Sequence, residues 1–298
     1  MLLNNSTPLI GSEESIWRRS NSISIFRQIF KNKLAAGATI FMLVLSFVVV
    51  AGDEIAPFDP TEMHIEDSLV APNPIYWFGT DDAGRDIFSR VILGGRISLR
   101  VGFISAAIAV AIGVPLGLLA GFYGGNSQTM ILRATDIMLA FPSMLLALVV
   151  VAILGKGVEQ VMIAVGISNV PTFVRVVNSL VISTKENEYI IASRAAAASD
   201  FRIVVHHIIP NIAAAVIVLA TLSVAGGILS ASSLSFLGLG AQPPSPEWGA
   251  MISRGRHNLR LSPWLSTFPG LAISSVVIAI NVIGDAMRDA LDPRIRVQ

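Results

Sequence analysis

The chain has 298 residues, of which 53% are hydrophobic and 14% charged. A soluble domain carries about 25% charged residues, so there is too little polar material here for a wholly water-facing surface. Lys+Arg at 21 against Asp+Glu at 20 leaves a net charge of +1, without the basic excess of a nucleic-acid binder. The absence of cysteine excludes a disulfide framework, a thiolate metal site and a cysteine nucleophile. His64, His206, His207 and His257 are too few and too scattered for a histidine-built metal centre. The composition is that of an all-α polytopic membrane protein.

Residues 1–33 are polar and Ser/Asn-rich, then basic, with Ile25, Phe26, Ile29 and Phe30 at helical spacing. Either a short amphipathic helix on the inner membrane surface or a solvated tail with stop-transfer charges fits that pattern. A spanning helix needs roughly 20 mostly apolar residues, about 30 Å of hydrocarbon at about 1.5 Å per residue. The first such run, 34–52, holds 19 uncharged residues and follows 33 mostly polar ones, which suits a retained anchor better than a secretory signal. Residues 53–96 read as an extracytoplasmic segment broken by Pro57, Pro60, Pro72 and Pro74. A second span is expected at about 101–122, a short cytoplasmic turn at 123–130, and a third span at about 137–155. The fourth, about 160–181, tolerates Arg175 near its end, where a long side chain snorkels to the headgroups. A cytoplasmic excursion, 182–209, leads to Pro210 and a fifth span at about 211–240. An external loop, 241–263, a sixth span at about 263–284 and a charged tail, 287–298, complete the chain.

Six spans place both termini on one side. With that side inside, 13 of the 21 lysines and arginines are cytoplasmic, the sign that the positive-inside rule asks for. The outer set is Arg85, Arg90, Arg96, Arg100, Lys156, Arg254, Arg256 and Arg260. The arginines among them suit headgroup phosphates, a peptide carboxylate or an acidic patch on a docking partner.

The stretch Glu188–Asn211, EYIIASRAAAASDFRIVVHHIIPN, is long for a connection and helical in composition. Ala192 and Ala195 to Ala198 make a nearly bare face, Ser199 and Asp200 a helix start, and Pro210 the opening of the next span. This is helix, break, helix across the cytoplasmic mouth, with a face that lets another protein approach the backbone closely. His206 and His207 are adjacent and cannot chelate together in the i, i+4 manner. Asp81, Asp82 and Asp86 lack the alternating ligand spacing of a calcium loop, so a turn held by Asp–Arg hydrogen bonds is expected. Gly102, Gly113, Gly117 and Gly121 point to close helix–helix packing. In the tail, Arg288 and Asp292 are i, i+4 neighbours able to pair. No G-x-x-x-x-G-K-[ST] phosphate loop, no catalytic constellation and no metal-ligand cluster stands out, and the spans hold almost no acids, unlike a proton-coupled carrier.

The Glu188–Asn211 stretch resembles the EAA loop of ABC-importer permeases, the helix that docks into a cleft of the ATP-hydrolysing subunit. Ala192, Arg194, Ala198, Ser199, Asp200 and Pro210 fit the peptide-importer version of the pattern. Ile191, Ser193, His207 and Ile209 depart from it. Ala197 stands where that family carries glycine, the residue that most easily adopts a left-handed break. Trp77–Arg90, WFGTDDAGRDIFSR, is similar to the G-T-D-x-x-G-R-D-x-x-S-R signature of dipeptide/oligopeptide/nickel permeases, on Gly79, Thr80, Asp81, Gly84, Arg85, Asp86, Ser89 and Arg90. Ala140–Ser143, Leu234–Gly240 with Gln242–Pro244, and Gly284–Arg294 continue the resemblance, which runs from about residue 30 to the end and indicates the C-type subunit.

The resemblance implies a type I ABC importer permease fold with its core at 97–286. It implies a homologous permease, two ATP-binding subunits and an extracytoplasmic solute-binding protein as partners, beside membrane lipid and a peptide substrate. ATP and magnesium would sit on the partner subunits, with no cofactor in this chain. Nickel, glutathione or another small solute are the alternative cargoes. A secondary transporter or channel would explain six spans but not the docking loop, and a non-transporting scaffold would explain the loop alone.

Overall fold

The computed structural model describes residues 32–291. The amphipathic pattern at Ile25–Phe30 lies outside them, as does Asp292, the partner expected for Arg288. The first apolar run forms α1 (Lys33–Val50), which starts where the Asn32 Oδ1 accepts from the Leu34 N–H at 3.0 Å. A short α2 (Gly52–Ile55) leads into an irregular segment with a single 3₁₀ turn, Ile65–Asp67. Then come α3 (Ile87–Tyr123), α4 (Gly125–Leu139), α5 (Ser143–Leu154) and α6 (Val158–Lys185). Two short helices, α7 (Glu188–Ala195) and α8 (Asp200–Ile203), and a π-helical turn, Val204–Ile208, precede α9 (Ile209–Phe236). The last elements are α10 (Trp248–Gly255), a 3₁₀ turn at Arg256–Asn258 and α11 (Trp264–Leu291).

Among the described residues five helices are long and apolar enough to cross a membrane, and α4 with α5 makes a sixth if that pair, bent by 91°, counts as one span. Several boundaries depart from the sequence reading. The segment expected to stay irregular to residue 96 is helical from Ile87, because Asp86 caps it: its Oδ2 accepts from the Ser89 N–H at 2.8 Å. Residues 123–130 are not a turn. Gly124 and Gly125, with φ of 68° and 56°, reverse the chain alone, and α4 starts at once. The span expected at 137–155 is broken at residues 140–142, where Pro142 has no N–H to give a helix. The loop at 241–263 contains α10, capped by Glu247 through the N–H groups of Gly249 (3.0 Å) and Ala250 (2.8 Å). At the last span the helix runs on to Leu291, past the expected end at 284.

Helices α3 and α6 run parallel, and glycine makes their contact possible. A Cβ on Gly113 would lie 2.5 Å from the Phe173 Cβ; on Gly117, 2.7 Å from the Val177 Cβ; on Gly121, 2.7 Å from the Val181 Cβ. Matching four-residue steps on both helices put the C-terminal ends of α3 and α6 at the same end of the bundle. Gly102 does the same toward α9, where a Cβ would meet the Ile228 Cγ1 at 2.5 Å. Both parallel rods carry a proline, Pro115 in α3 and Pro171 in α6. One apolar core gathers α3, α9, α10 and α11 around Trp248, Ile228 and Val276, and another joins α5 and α6 around Val151, Val161 and Val165.

Candidate functional site

The two motifs singled out in the sequence sit at opposite ends of α3, whose 37 residues span about 55 Å at about 1.5 Å per residue. They do not meet, and their side chains are arranged for different work.

At the C-terminal end of α3 lies the Glu188–Asn211 stretch. Ile190, Ile203 and Ile208 are fully buried against Phe122 of α3, Val177 and Val181 of α6, and Ile212 of α9. That apolar knot fixes the segment to the spans. Polar ties reinforce it. The Lys185 Nζ donates to the carbonyls of Gly121 (3.0 Å) and Phe122 (3.3 Å), closing the end of α3 with a cation where the helix dipole favours one. The Asn211 Nδ2 donates to the Tyr189 hydroxyl at 2.7 Å, joining α9 to α7. The Arg194 guanidinium lies 5.2 Å above the Phe122 ring of α3, while the residue as a whole stays exposed.

The break between α7 and α8 is a Schellman-type turn. The Ala198 N–H donates to the Ser193 carbonyl at 3.1 Å and the Ala197 N–H to the Arg194 carbonyl at 2.9 Å. Ala197 takes the left-handed conformation, φ 56°, that glycine would adopt more easily. Ser199 then caps α8, its Oγ accepting from the Arg202 N–H at 3.4 Å. Glu188, Ala192, Ala197, Ser199 and Asp200 are exposed on the outward side, Ala198 is half-buried, and Pro210 stands in the first turn of α9. The π-helical turn before Pro210 absorbs a residue that has no N–H to donate and crowds the preceding turn. Sequence reading missed Phe201, 76% exposed beside Asp200, and gave Ile191, 58% exposed, no role beyond a departure from the motif. Large apolar side chains at the tip of a mostly alanine surface were the available signal.

At the N-terminal end of α3, Gly79 to Arg90 fold into a tight reversal in which Thr80 pairs with Asp86. Gly84 has φ 73° and abuts the His64 carbonyl, so that only glycine fits. The expected Asp–Arg turn is present. The Asp81 Oδ2 accepts from the Arg85 Nε at 2.7 Å, while its Oδ1 accepts from the N–H groups of Ala83 (2.9 Å) and Arg85 (3.1 Å). Arg90 approaches the same Oδ2 at 3.7 Å and donates to the carbonyls of Pro60 and Pro244. The Asp86 Oδ2 accepts from the Ser89 hydroxyl at 2.6 Å, whose oxygen in turn accepts from the Phe58 N–H at 3.2 Å. The Trp264 Nε1 donates to the Thr80 carbonyl at 3.2 Å.

Thr80, Asp81, Arg85, Asp86, Ser89 and Arg90 are all buried. The motif is a keystone joining the 58–70 segment, α3, the 244 turn and α11. Arg85 and Arg90 are therefore spent inside the fold, and cannot meet headgroups, a free carboxylate or a docking partner. Arg96 is also engaged: its Nη1 lies 2.9 Å from the Asp53 Oδ2, and its Nε donates to the Val49 carbonyl at 2.8 Å. Among the described residues no group of three or more His, Cys, Asp or Glu is placed to hold a metal ion.

A glycine-packed helical bundle with a helix–turn–helix projecting from one end and a buried polar keystone at the other is the architecture of a membrane permease. Residues 113–297 match the family described as binding-protein-dependent transport system inner membrane component, and residues 20–72 match the N-terminal transmembrane domain of oligopeptide transport permease C. The chain belongs to this family of ABC importer permeases and is a multi-pass inner-membrane protein, not a catalytic enzyme. It is 45% identical, over 95% of its length and 91% of the relative's, to the dipeptide transport system permease protein DppC of Alkalihalophilus pseudofirmus. It is 42% identical to DppC of Haemophilus influenzae, over 89% of this chain and 92% of that one. Against the glutathione transport system permease protein GsiD of Pectobacterium atrosepticum it is 40% identical, over 91% of this chain and 90% of the other. The fold is that of the type I permease in an inward-facing structure of the MetNI methionine ABC transporter: TM-score 0.56, 17% identity, 68% of this chain and 97% of that one.

Proposed function

We propose that this chain pairs with a homologous permease to form the pathway by which short peptides cross the cytoplasmic membrane. Two ATP-binding subunits, which would hold ATP and magnesium, drive it, and an extracytoplasmic solute-binding protein delivers the cargo. Both termini and the Glu188–Asn211 stretch lie on the cytoplasmic side in this reading, and the keystone outside. The observation that carries the coupling is the outward face of α7 and α8, where small side chains surround the exposed Phe201 and Asp200. A largely bare face from which Phe201 and Ile191 project suits a cleft in a partner protein. The peptide cargo is supported by the relatives, two named for dipeptides and one for glutathione, itself a tripeptide.

Coupling requires that α7–α8 contact the two nucleotide states of its partner differently, since a ligand shifts an equilibrium only by its differential affinity. Loss of labelled dipeptide uptake on deletion of the gene, with nickel uptake intact, is the expected result; the reverse pattern would overturn the peptide cargo. Asp200→Lys and Phe201→Ser are expected to lower uptake by about tenfold, about 1.4 kcal/mol of coupling, while ATP hydrolysis by the assembled transporter and membrane insertion persist. Wild-type uptake by both variants would remove α7–α8 from the coupling.

A further inference from the structure

Two features that neither motif explains come together on the free face of α3. Arg96, Arg100, Phe103, Ala107 and Val110 follow at intervals of three and four and form one stripe along the helix. Arg100, Phe103 and Ala107 are exposed. At the top of this stripe a cavity of about 250 Å³ opens between α3 and α6, lined by Arg96, Ile97, Arg100, Val158, Glu159 and Met162. Arg96 is committed to Asp53 and to the last carbonyls of α1. Arg100 and Glu159 face the same cavity, yet neither has an ion-pair or hydrogen-bond partner among the described residues. Opposite charges held apart across a gap are complementary to a ligand carrying both signs.

The level of the cavity is set by its neighbours. Arg96 reaches the carbonyls that end α1, and Glu159 is in the first turn of α6, so the charges lie where two spanning helices end and the headgroups begin. Deeper on the same side of α3 runs a groove of about 450 Å³, with Met42, Phe103, Ala107, Val110, Ile217 and Ile283 among its lining and no charged residue. From Arg100 to Val110 the helix descends about 15 Å at about 1.5 Å per residue, half of a hydrocarbon core about 30 Å thick.

We propose that this face binds one phospholipid whose headgroup carries a phosphate and a primary ammonium, as phosphatidylethanolamine does. The phosphate sits on Arg100, the ammonium on Glu159, and an acyl chain fills the groove below. Glu159 disfavours a purely anionic headgroup, and a choline headgroup has no N–H to donate to it. A free dipeptide shares the two charges but carries no chain long enough to run from Arg100 down to Val110, about 15 Å along the helix, which is why lipid, and not cargo, fits both halves of the site.

The test uses the intact transporter, delipidated in detergent and titrated with phosphatidylethanolamine, phosphatidylglycerol or phosphatidylcholine of identical acyl chains, with bound lipid counted by native mass spectrometry. Phosphatidylethanolamine is expected to bind saturably and several-fold more tightly than the other two. Arg100→Ala, a change at an exposed and unbonded side chain, should weaken it about tenfold. Glu159→Gln should remove the preference over phosphatidylglycerol without abolishing binding. Ala107→Trp, which fills the groove, should weaken all three lipids; the Arg100 and Glu159 results stand without it. Equal binding of the three lipids by the wild type, or an unchanged Arg100→Ala, would overturn the proposal. Displacement of the lipid by millimolar dipeptide would assign the cavity to cargo, and failure of any lipid to bind would leave the groove to the partner permease; either result also overturns it.

Discussion

Ala197 and Asp81 show how much a single position carries at each end of the bundle. The left-handed conformation of Ala197, φ 56°, costs an L-residue about 1–2 kcal/mol. Both bonds of the turn are nonetheless made, so the turn dictates the geometry and the residue endures it. Ala197→Gly should therefore stabilise the protein by about 0.5–1 kcal/mol, once glycine's greater freedom in the unfolded chain is deducted. The check is a small rise in the thermal unfolding midpoint; a fall would argue against the left-handed turn. Asp81 is the carboxylate that faces the buried guanidinium groups of Arg85 and Arg90. Asp81→Asn strands both and should cost about 3–5 kcal/mol, seen as loss of folded subunit from membranes. Asp82→Asn is the control. Its exposed carboxylate lies 3.6 Å from Arg85, a contact worth less than about 1 kcal/mol.

Among the elements, α10 is the one whose hold depends on an acid. Trp248, 1% exposed, is set against α3 with its Nε1 donating to the Val91 carbonyl at 2.8 Å. Glu247 caps the helix beside it. Burial pushes the Glu247 carboxyl above the ordinary glutamate range, against the opposing effect of the Gly249 and Ala250 N–H groups. A raised value means that the folded state holds the proton more tightly than the unfolded one. That contribution to stability is complete below the unfolded value and is lost as pH rises through the folded one. Glu247→Gln, which cannot ionise, should gain stability relative to the wild type as the medium goes from acid to mildly alkaline. Unfolding midpoints of the two proteins across that range decide it, and a constant difference would mean that Glu247 does not titrate in the fold. The same element marks a limit of sequence reading. The 241–263 stretch is rich in proline and small residues at its start, which conceals a helix of only eight residues whose cap lies after the prolines.

Across the whole molecule, what was legible in the sequence is what local chemistry dictates. Gaps between charges located the spans, Asp–Arg spacing located the keystone turn, and Ser199 announced α8. What escaped needed distant partners. The burial of Arg90 depends on carbonyls 30 and 154 positions away, and no local pattern encodes them. The bend between α4 and α5 escaped because the residues flanking Pro142, Ile137–Phe141 and Met144–Leu146, are apolar on both sides and read as one continuous run. Four-residue glycine steps, by contrast, were enough to expect close packing on α3, although not which helix would approach. That helix proved to be α6, running the same way. Pro115 and Pro171 lie within about a turn of one another along this pair, by the same register that seats Gly113 against Phe173. Each rod thus lacks one backbone hydrogen bond at nearly the same depth. Flexure is cheapest where both backbones are weakened together, so the bundle has a natural crease there. Below it lies the apolar knot around Phe122; above it, the buried keystone.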